Sequence, residues 1–216
     1  MPELILALEL IGTVAFAVSG AVTGVRKGMD VFGVSILGLT TAVGGGVIRD
    51  LILGNTPPIT FREPVYALTA LGVSLIVFLK PVRHFLTGSH RHAAVLLLLS
   101  DSLGLSLFTV SGVQVAYQLG RADSLFLLTF VGVVTGVGGG VLRDIMAGST
   151  PYIFVKHVYA SASLVGSLLC AVLWTRLGQA AAMLLGFAAI LNIRLMSAHY
   201  HWSLPRAERD GEEEHH

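Results

Sequence analysis

The sequence predicts an all-α membrane protein of seven transmembrane helices. Six of them form an inverted repeat of three and three, the seventh is an addition, and the second and fifth are kinked. Three observations carry this prediction. Of the 216 residues, 54% are hydrophobic and only 12% charged, where a soluble domain has roughly 25% charged. Seven apolar segments reach the about 20 residues that a membrane-crossing helix needs; they fall at 3–25, 31–53, 64–80, 93–118, 124–147, 155–175 and 178–198. Finally, one glycine-rich word occurs twice.

The first segment lacks a basic leader and a small-residue cleavage site, so it reads as a retained helix rather than a signal peptide. Short loops join the segments, giving one transmembrane domain over 1–198 and a polar tail over 199–216, whose closing histidines resemble a tag remnant and carry no functional weight. Lys and Arg concentrate in short cytoplasmic loops. With the loops alternating, Arg26, Lys27, Lys80, Arg83, Arg91, Lys156, Arg194, Arg206 and Arg209 share one side, against Arg62, Arg121 and Arg176 on the other. This asymmetry predicts an N-terminus outside and a C-terminus in the cytoplasm.

The second and fifth helices hold the duplicated word. GGGVIRDLILGNTP (44–57) matches GGGVLRDIMAGSTP (138–151) at nine of fourteen positions. Upstream, FAVSG (16–20) matches FTVSG (108–112), and Glu9 and Gly12 fall opposite Asp101 and Gly104. Downstream, VYA recurs at 65–67 and 158–160. The copies therefore span about 1–80 and 92–175, and the helix at 178–198 stands outside them. A second copy that enters after three crossings is inverted in the membrane, a recurrent architecture of transport proteins.

Glycine weakens a helix by about 1 kcal/mol relative to alanine and reaches backbone angles that other residues avoid. Gly44, Gly45 and Gly46, and again Gly138, Gly139 and Gly140, therefore predict a kinked or unwound point in each helix. Close helix packing is the other use of small residues in a membrane, and it is the reading for Gly20-x-x-x-Gly24 and Gly132-x-x-x-Gly136. Pro57, Pro58 and Pro151 end the broken helices.

Charge inside a bilayer costs at least ~2.5 kcal/mol per group, so Arg49 and Arg143 must face protein or water. Inversion puts Arg49 and Glu9 at one depth and Arg143 and Asp101 at another, which allows the pairs Glu9–Arg49 and Asp101–Arg143. The adjacent Asp50 and Asp144 are competing partners. Ser102, Ser106 and Thr109 follow helical spacing beside Asp101 and suggest a wetted face, while Phe16 and its mate Phe108 suggest an apolar constriction. Cys170 is the only cysteine, so neither an intrachain disulfide nor a thiolate metal cluster is available. His84, His90 and His92 form a basic loop suited to lipid headgroups rather than a metal site. There is no nucleophile with an attendant base and no P-loop, so neither an enzyme nor an ATP-driven pump is expected, and no bound cofactor or nucleic-acid partner.

The duplicated GGGxxRDxxxGxTP, the FxVSG elements and the three-plus-three-plus-one layout resemble the bacterial branch of the trimeric intracellular cation channel family, whose bacterial members are also labelled glycine transporters. The resemblance covers about residues 3–197. It implies a homotrimer in the prokaryotic inner membrane with one pore per subunit, lined by kinked second and fifth helices and conducting monovalent cations, chiefly K+. On this chain the kinks map to Gly44–Gly46 and Gly138–Gly140, and the pore charges to Arg49 and Arg143. The lysine motif and phosphoinositide binding of animal members do not carry over. A secondary transporter of a small amino acid such as glycine uses the same architecture and remains the alternative, and a scaffold protein would show neither activity. No TVGYG-like filter is present, so strong K+/Na+ discrimination is not expected.

Overall fold

The computed structural model describes residues 2–88, 90–122, 124–155, 158–200 and 202. The described chain is helical: α1 (Pro2–Arg26), α2 (Val31–Leu53), α3 (Ile59–Arg62), α4 (Val65–Phe78), α5 (Lys80–Gly88), α6 (His90–Gln118), α7 (Leu125–Met146), α8 (Tyr152–Val155), α9 (Ala160–Leu177) and α10 (Gln179–His199). Six of these helices are long and apolar enough to cross a membrane, and a bent pair, α4 with α5, supplies a seventh. Leu79 leaves the helical region at ψ 143°, and the chain turns by 72° into α5. The third span is therefore shorter than the 64–80 expected.

The starts and stops follow local chemistry. Asp30 caps α2, its Oδ1 accepting from the Gly33 amide at 2.7 Å, and Ser124 caps α7 by accepting from the Leu127 amide at 3.2 Å; such caps satisfy amides that a helix start leaves orphaned. Gly54 closes α2 at φ 72°, and its repeat mate Gly148 follows α7 at φ 62°. A methyl group on Gly54 would meet nothing within 4 Å, so Gly54→Ala isolates the backbone term. It is expected to lower stability by about 1–2 kcal/mol, the left-handed penalty of a residue with Cβ, read as a drop in the thermal midpoint in detergent.

The helices pack in the pairs an inverted repeat demands. Across the repeats, α2 lies on α7 and α1 on α6; α4 packs on α1 and α2, as α9 packs on α6 and α7. The additional helix α10 packs on α9 and α6. The contacts are reciprocal down to the residue. The Phe16 ring lies on Gly104, and the Phe108 ring on Gly12.

Two expectations are revised. Of the kinked or unwound point expected at each glycine triplet, the unwound form is absent: α2 stays helical through Gly44–Gly46 and α7 through Gly138–Gly140. The missing Cβ atoms serve proximity instead. A methyl on Gly45 would overlap the Thr135 carbonyl oxygen, and one on Gly139 would overlap the Thr41 carbonyl oxygen. Backbone meets backbone where the two helices cross, which only glycine allows. The second correction concerns the charge count that oriented the chain. Arg194 is no loop residue; it lies in α10 and is 3% exposed. Lys156, Arg206 and Arg209 of that count, His201 and the tail from 203 lie outside the described residues.

Candidate functional site

Each repeat buries one arginine beside its glycine crossing, and each arginine is held by the aspartate that follows it. In the first repeat Arg49 donates from Nε to Asp50 Oδ1 at 2.8 Å, while the Ile59 amide donates to Asp50 Oδ2 at 2.7 Å. In the second, Arg143 donates from Nε to Asp144 Oδ1 at 2.8 Å, and the Tyr152 amide donates to Asp144 Oδ2 at 2.9 Å. Ile59 and Tyr152 are the first residues of α3 and α8. Each aspartate thus performs two tasks, fixing its arginine and tying down the chain that re-enters after the GNTP or GSTP turn. Sequence alone offers Asp50 and Asp144 only as rival ion-pair partners; the second task depends on a backbone amide eight or nine residues away.

The two sites then diverge. Arg143 is fully buried and also donates from Nη1 to Asp101 Oδ1 at 2.6 Å and to the Ser19 hydroxyl. The Tyr159 hydroxyl donates weakly to the same Asp101 oxygen at 3.4 Å. This joins α1, α6, α7 and the start of α9 in one network, and such charged hydrogen bonds contribute about 1.5–3 kcal/mol each. The expected Asp101–Arg143 pair is present. Its counterpart, Glu9–Arg49, is not made: Glu9 instead accepts from the Tyr66 hydroxyl at 2.6 Å and from the Ser111 hydroxyl at 2.9 Å. Tyr66 mates with Tyr159 and Ser111 with Ser19, so the same residue types surround both carboxylates, but only Asp101 is reached by its arginine.

The reason is a small cavity. Glu9, Thr13, Gly46, Arg49, Tyr66 and Phe108 line about 30 Å³ of free space between them, room for one or two waters. Asp101 and Arg143, by contrast, are in direct contact at 2.6 Å. Phe108 on the cavity wall stacks on Phe16, with centroids 5.3 Å apart and planes 19° apart. Phe16 in turn packs toward Gly139 at the helix crossing. The stacked rings therefore stand between the cavity and the glycine contact.

The polar stripe on α6 is fully buried in this conformation, with Ser102, Ser106 and Thr109 each 0% exposed. Thr109 and Ser163 share a hydrogen bond of 2.7 Å between α6 and α9, and Ser106 returns its hydroxyl to the Ser102 carbonyl at 2.7 Å. Of these three residues, only Ser102 keeps a buried hydroxyl without a hydrogen-bond partner among the described residues. One participant escaped the sequence analysis. Arg194 on α10 approaches Asp101 Oδ2 at 3.8 Å and lies over the Tyr159 ring at 4.8 Å. A charge inside an apolar span was the available signal, and assigning it to a loop hid it.

These networks can be set beside known proteins. A family described as Glycine transporter matches residues 6–81 and 98–175, one stretch per repeat and most of the chain. The chain belongs to this family. Among the family's curated relatives, the UPF0126 membrane protein YvgT of Bacillus subtilis is 34% identical over 92% of this chain and 94% of its own length. The UPF0126 inner membrane protein YadS of Escherichia coli is 33% identical over 92% and 93%. Solved structures extend the family to prokaryotic TRIC channels. The TRIC trimeric intracellular cation channel orthologue from Rhodobacter sphaeroides superposes with a TM-score of 0.83 at 35% identity, covering 92% of this chain and 99% of that one. Another prokaryotic TRIC channel gives 0.85 at 30% identity, covering 94% and 100%. The multispan, all-helical architecture read from sequence is the architecture of these structures.

Proposed function

We propose that the protein is a channel for monovalent cations, permeable to K+ and Na+, working as a homotrimer with one path in each subunit. It lies in a prokaryotic inner membrane with its N-terminus outside and its C-terminus cytoplasmic. The observation that carries this reading is the pair of buried arginine–carboxylate sites, one per repeat, in a helix bundle whose Phe16 and Phe108 rings stack on each other. Ionisable groups inside a membrane mark ion pathways, and a carboxylate beside an arginine weakens its repulsion of cations. The relatives described as TRIC cation channels support the same reading.

In this proposal a cation passes Glu9, Arg49 and Asp50 in one half and Asp101, Arg143 and Asp144 in the other. Phe16 and Phe108 form the constriction between them, and Ser102 offers a spare hydroxyl. Glycines 44–46 and 138–140 let α2 and α7 slide without steric conflict. The conformation is read as closed: Phe108, stacked on Phe16, forms one wall of the cavity of about 30 Å³. The family description favours a second reading, a glycine carrier.

Single-channel recording in planar bilayers under a KCl gradient tests the proposal. Discrete openings that reverse near the K+ potential are expected. Phe108→Ala, which shortens the constriction, is expected to raise the open fraction several-fold. A silent bilayer beside saturable glycine uptake into vesicles of the same protein would replace the channel with the carrier.

A further inference from the structure

The repeat symmetry supplies each half of the protein with one arginine and two carboxylates, but α10 has no mate and adds a charge to one half only. Arg194 is 3% exposed, and its Nη2 lies 3.8 Å from Asp101 Oδ2. The two oxygens of Asp101 are therefore divided. Oδ1 accepts from Arg143 and Tyr159; Oδ2 faces Arg194 and, among the described residues, has no hydrogen bond, and neither has Arg194 Nε. The guanidinium is held over the Tyr159 ring at 4.8 Å. Counting formal charges, Glu9, Arg49 and Asp50 leave the first-repeat site negative by one. Asp101, Asp144, Arg143 and Arg194 leave the second-repeat site neutral.

We propose that Arg194 is the charge-setting residue of the second-repeat site: through Asp101 it neutralises that half of the path and limits cation passage there. The proposal rests on the channel reading given above. A cation so thoroughly buried is weakly screened by salt, so one charge at this place changes the field that a passing ion meets. Arg143 donates hydrogen bonds to α1, α6 and its own helix, whereas among the described residues Arg194 is held by the ring and by a contact longer than a hydrogen bond. A small displacement of α10 therefore strengthens or releases its hold on Asp101 without dismantling the Arg143 network. The added helix becomes the element that makes two symmetry-related halves electrically unequal.

Two measurements test this, and they fail separately. The first is a double-mutant cycle of thermal unfolding in detergent with Arg194→Gln, Asp101→Asn and the combined variant. Coupling predicts that the combined variant is less destabilised than the two single effects together by about 3 °C or more. Additive effects overturn the pair whether or not the protein conducts. The second is single-channel recording. Arg194→Gln is expected to raise unitary K+ conductance about twofold and to change the ratio of currents at opposite voltages, while Arg194→Lys restores both. Coupled unfolding with unaltered conductance and rectification overturns the charge-setting role and leaves a structural pair. A silent wild type with intact coupling overturns the channel reading and, with it, that role.

Discussion

Gly139→Ala is expected to lower the thermal midpoint of the detergent-solubilised protein by about 5–10 °C, and Gly45→Ala by a similar amount. Each new methyl would overlap a carbonyl oxygen of the facing helix, Thr41 for Gly139 and Thr135 for Gly45. A side chain could rotate away; a backbone carbonyl already committed to its own helix cannot. The crossing must open, and overpacking of this kind costs about 1–3 kcal/mol or more. Gly46→Ala is the internal control, because the nearest atom to its added carbon is the Arg49 guanidinium at 3.8 Å, an ordinary contact. There the better helix propensity of alanine, up to about 1 kcal/mol, is expected to leave stability unchanged or raise it. Equal midpoints for Gly139→Ala and Gly46→Ala would mean that α2 and α7 do not touch through their backbones. The larger Gly45→Leu and Gly139→Leu changes, which a simple hinge would tolerate with the fold intact, are expected to prevent folding.

Arg143→Ala is expected to cost about 3–5 kcal/mol, the scale for removing one partner from a buried ion pair. It leaves Asp101 and Asp144 buried with their strongest donor gone. Arg49→Ala is expected to cost less than half as much. Glu9 keeps both of its hydroxyl donors in that variant, and Asp50 keeps the Ile59 amide. Chemical or thermal unfolding of the two variants under identical detergent conditions gives the comparison. Similar losses for both would contradict the asymmetry of the two sites. Partial recovery of Arg143→Ala by a second change, Asp101→Asn, would identify the stranded carboxylate as the source of the cost.

The architecture was legible in the sequence because it rests on patterns that survive without coordinates. Apolar length sets the spans, and a duplication after three crossings sets the inversion. The Asp101–Arg143 pair was legible for the same reason, since depth and repeat register bring its members together. The same argument applied to Glu9 and Arg49 gave a pair the protein does not make. Register decides which groups are near, but two hydroxyls and a small cavity decide which of them touch. The close packing at the glycine triplets is not legible in the sequence because glycine has two physical uses, freedom of the backbone and absence of a side chain, and only the facing helix shows the second at Gly45 and Gly139. Arg194 was missed because a count of basic residues by loop has no place for a cation buried on the packing face near the end of a span.

The short helix α4 has a consequence for the surrounding lipid. Its 14 residues make a rod of about 21 Å, and its Leu68, Leu75 and Ile76 lie open at the surface. A typical hydrocarbon layer is about 30 Å thick. On this flank the bilayer meets too little apolar length, and the 72° turn at Leu79 sends the polar residues of α5 sideways at that level. Acyl chains beside α4 must compress or tilt, at fractions of a kcal/mol per ångström. Where α4 faces acyl chains the protein carries a thin side, and the acyl-chain length of its host membrane becomes a mechanical load on that flank.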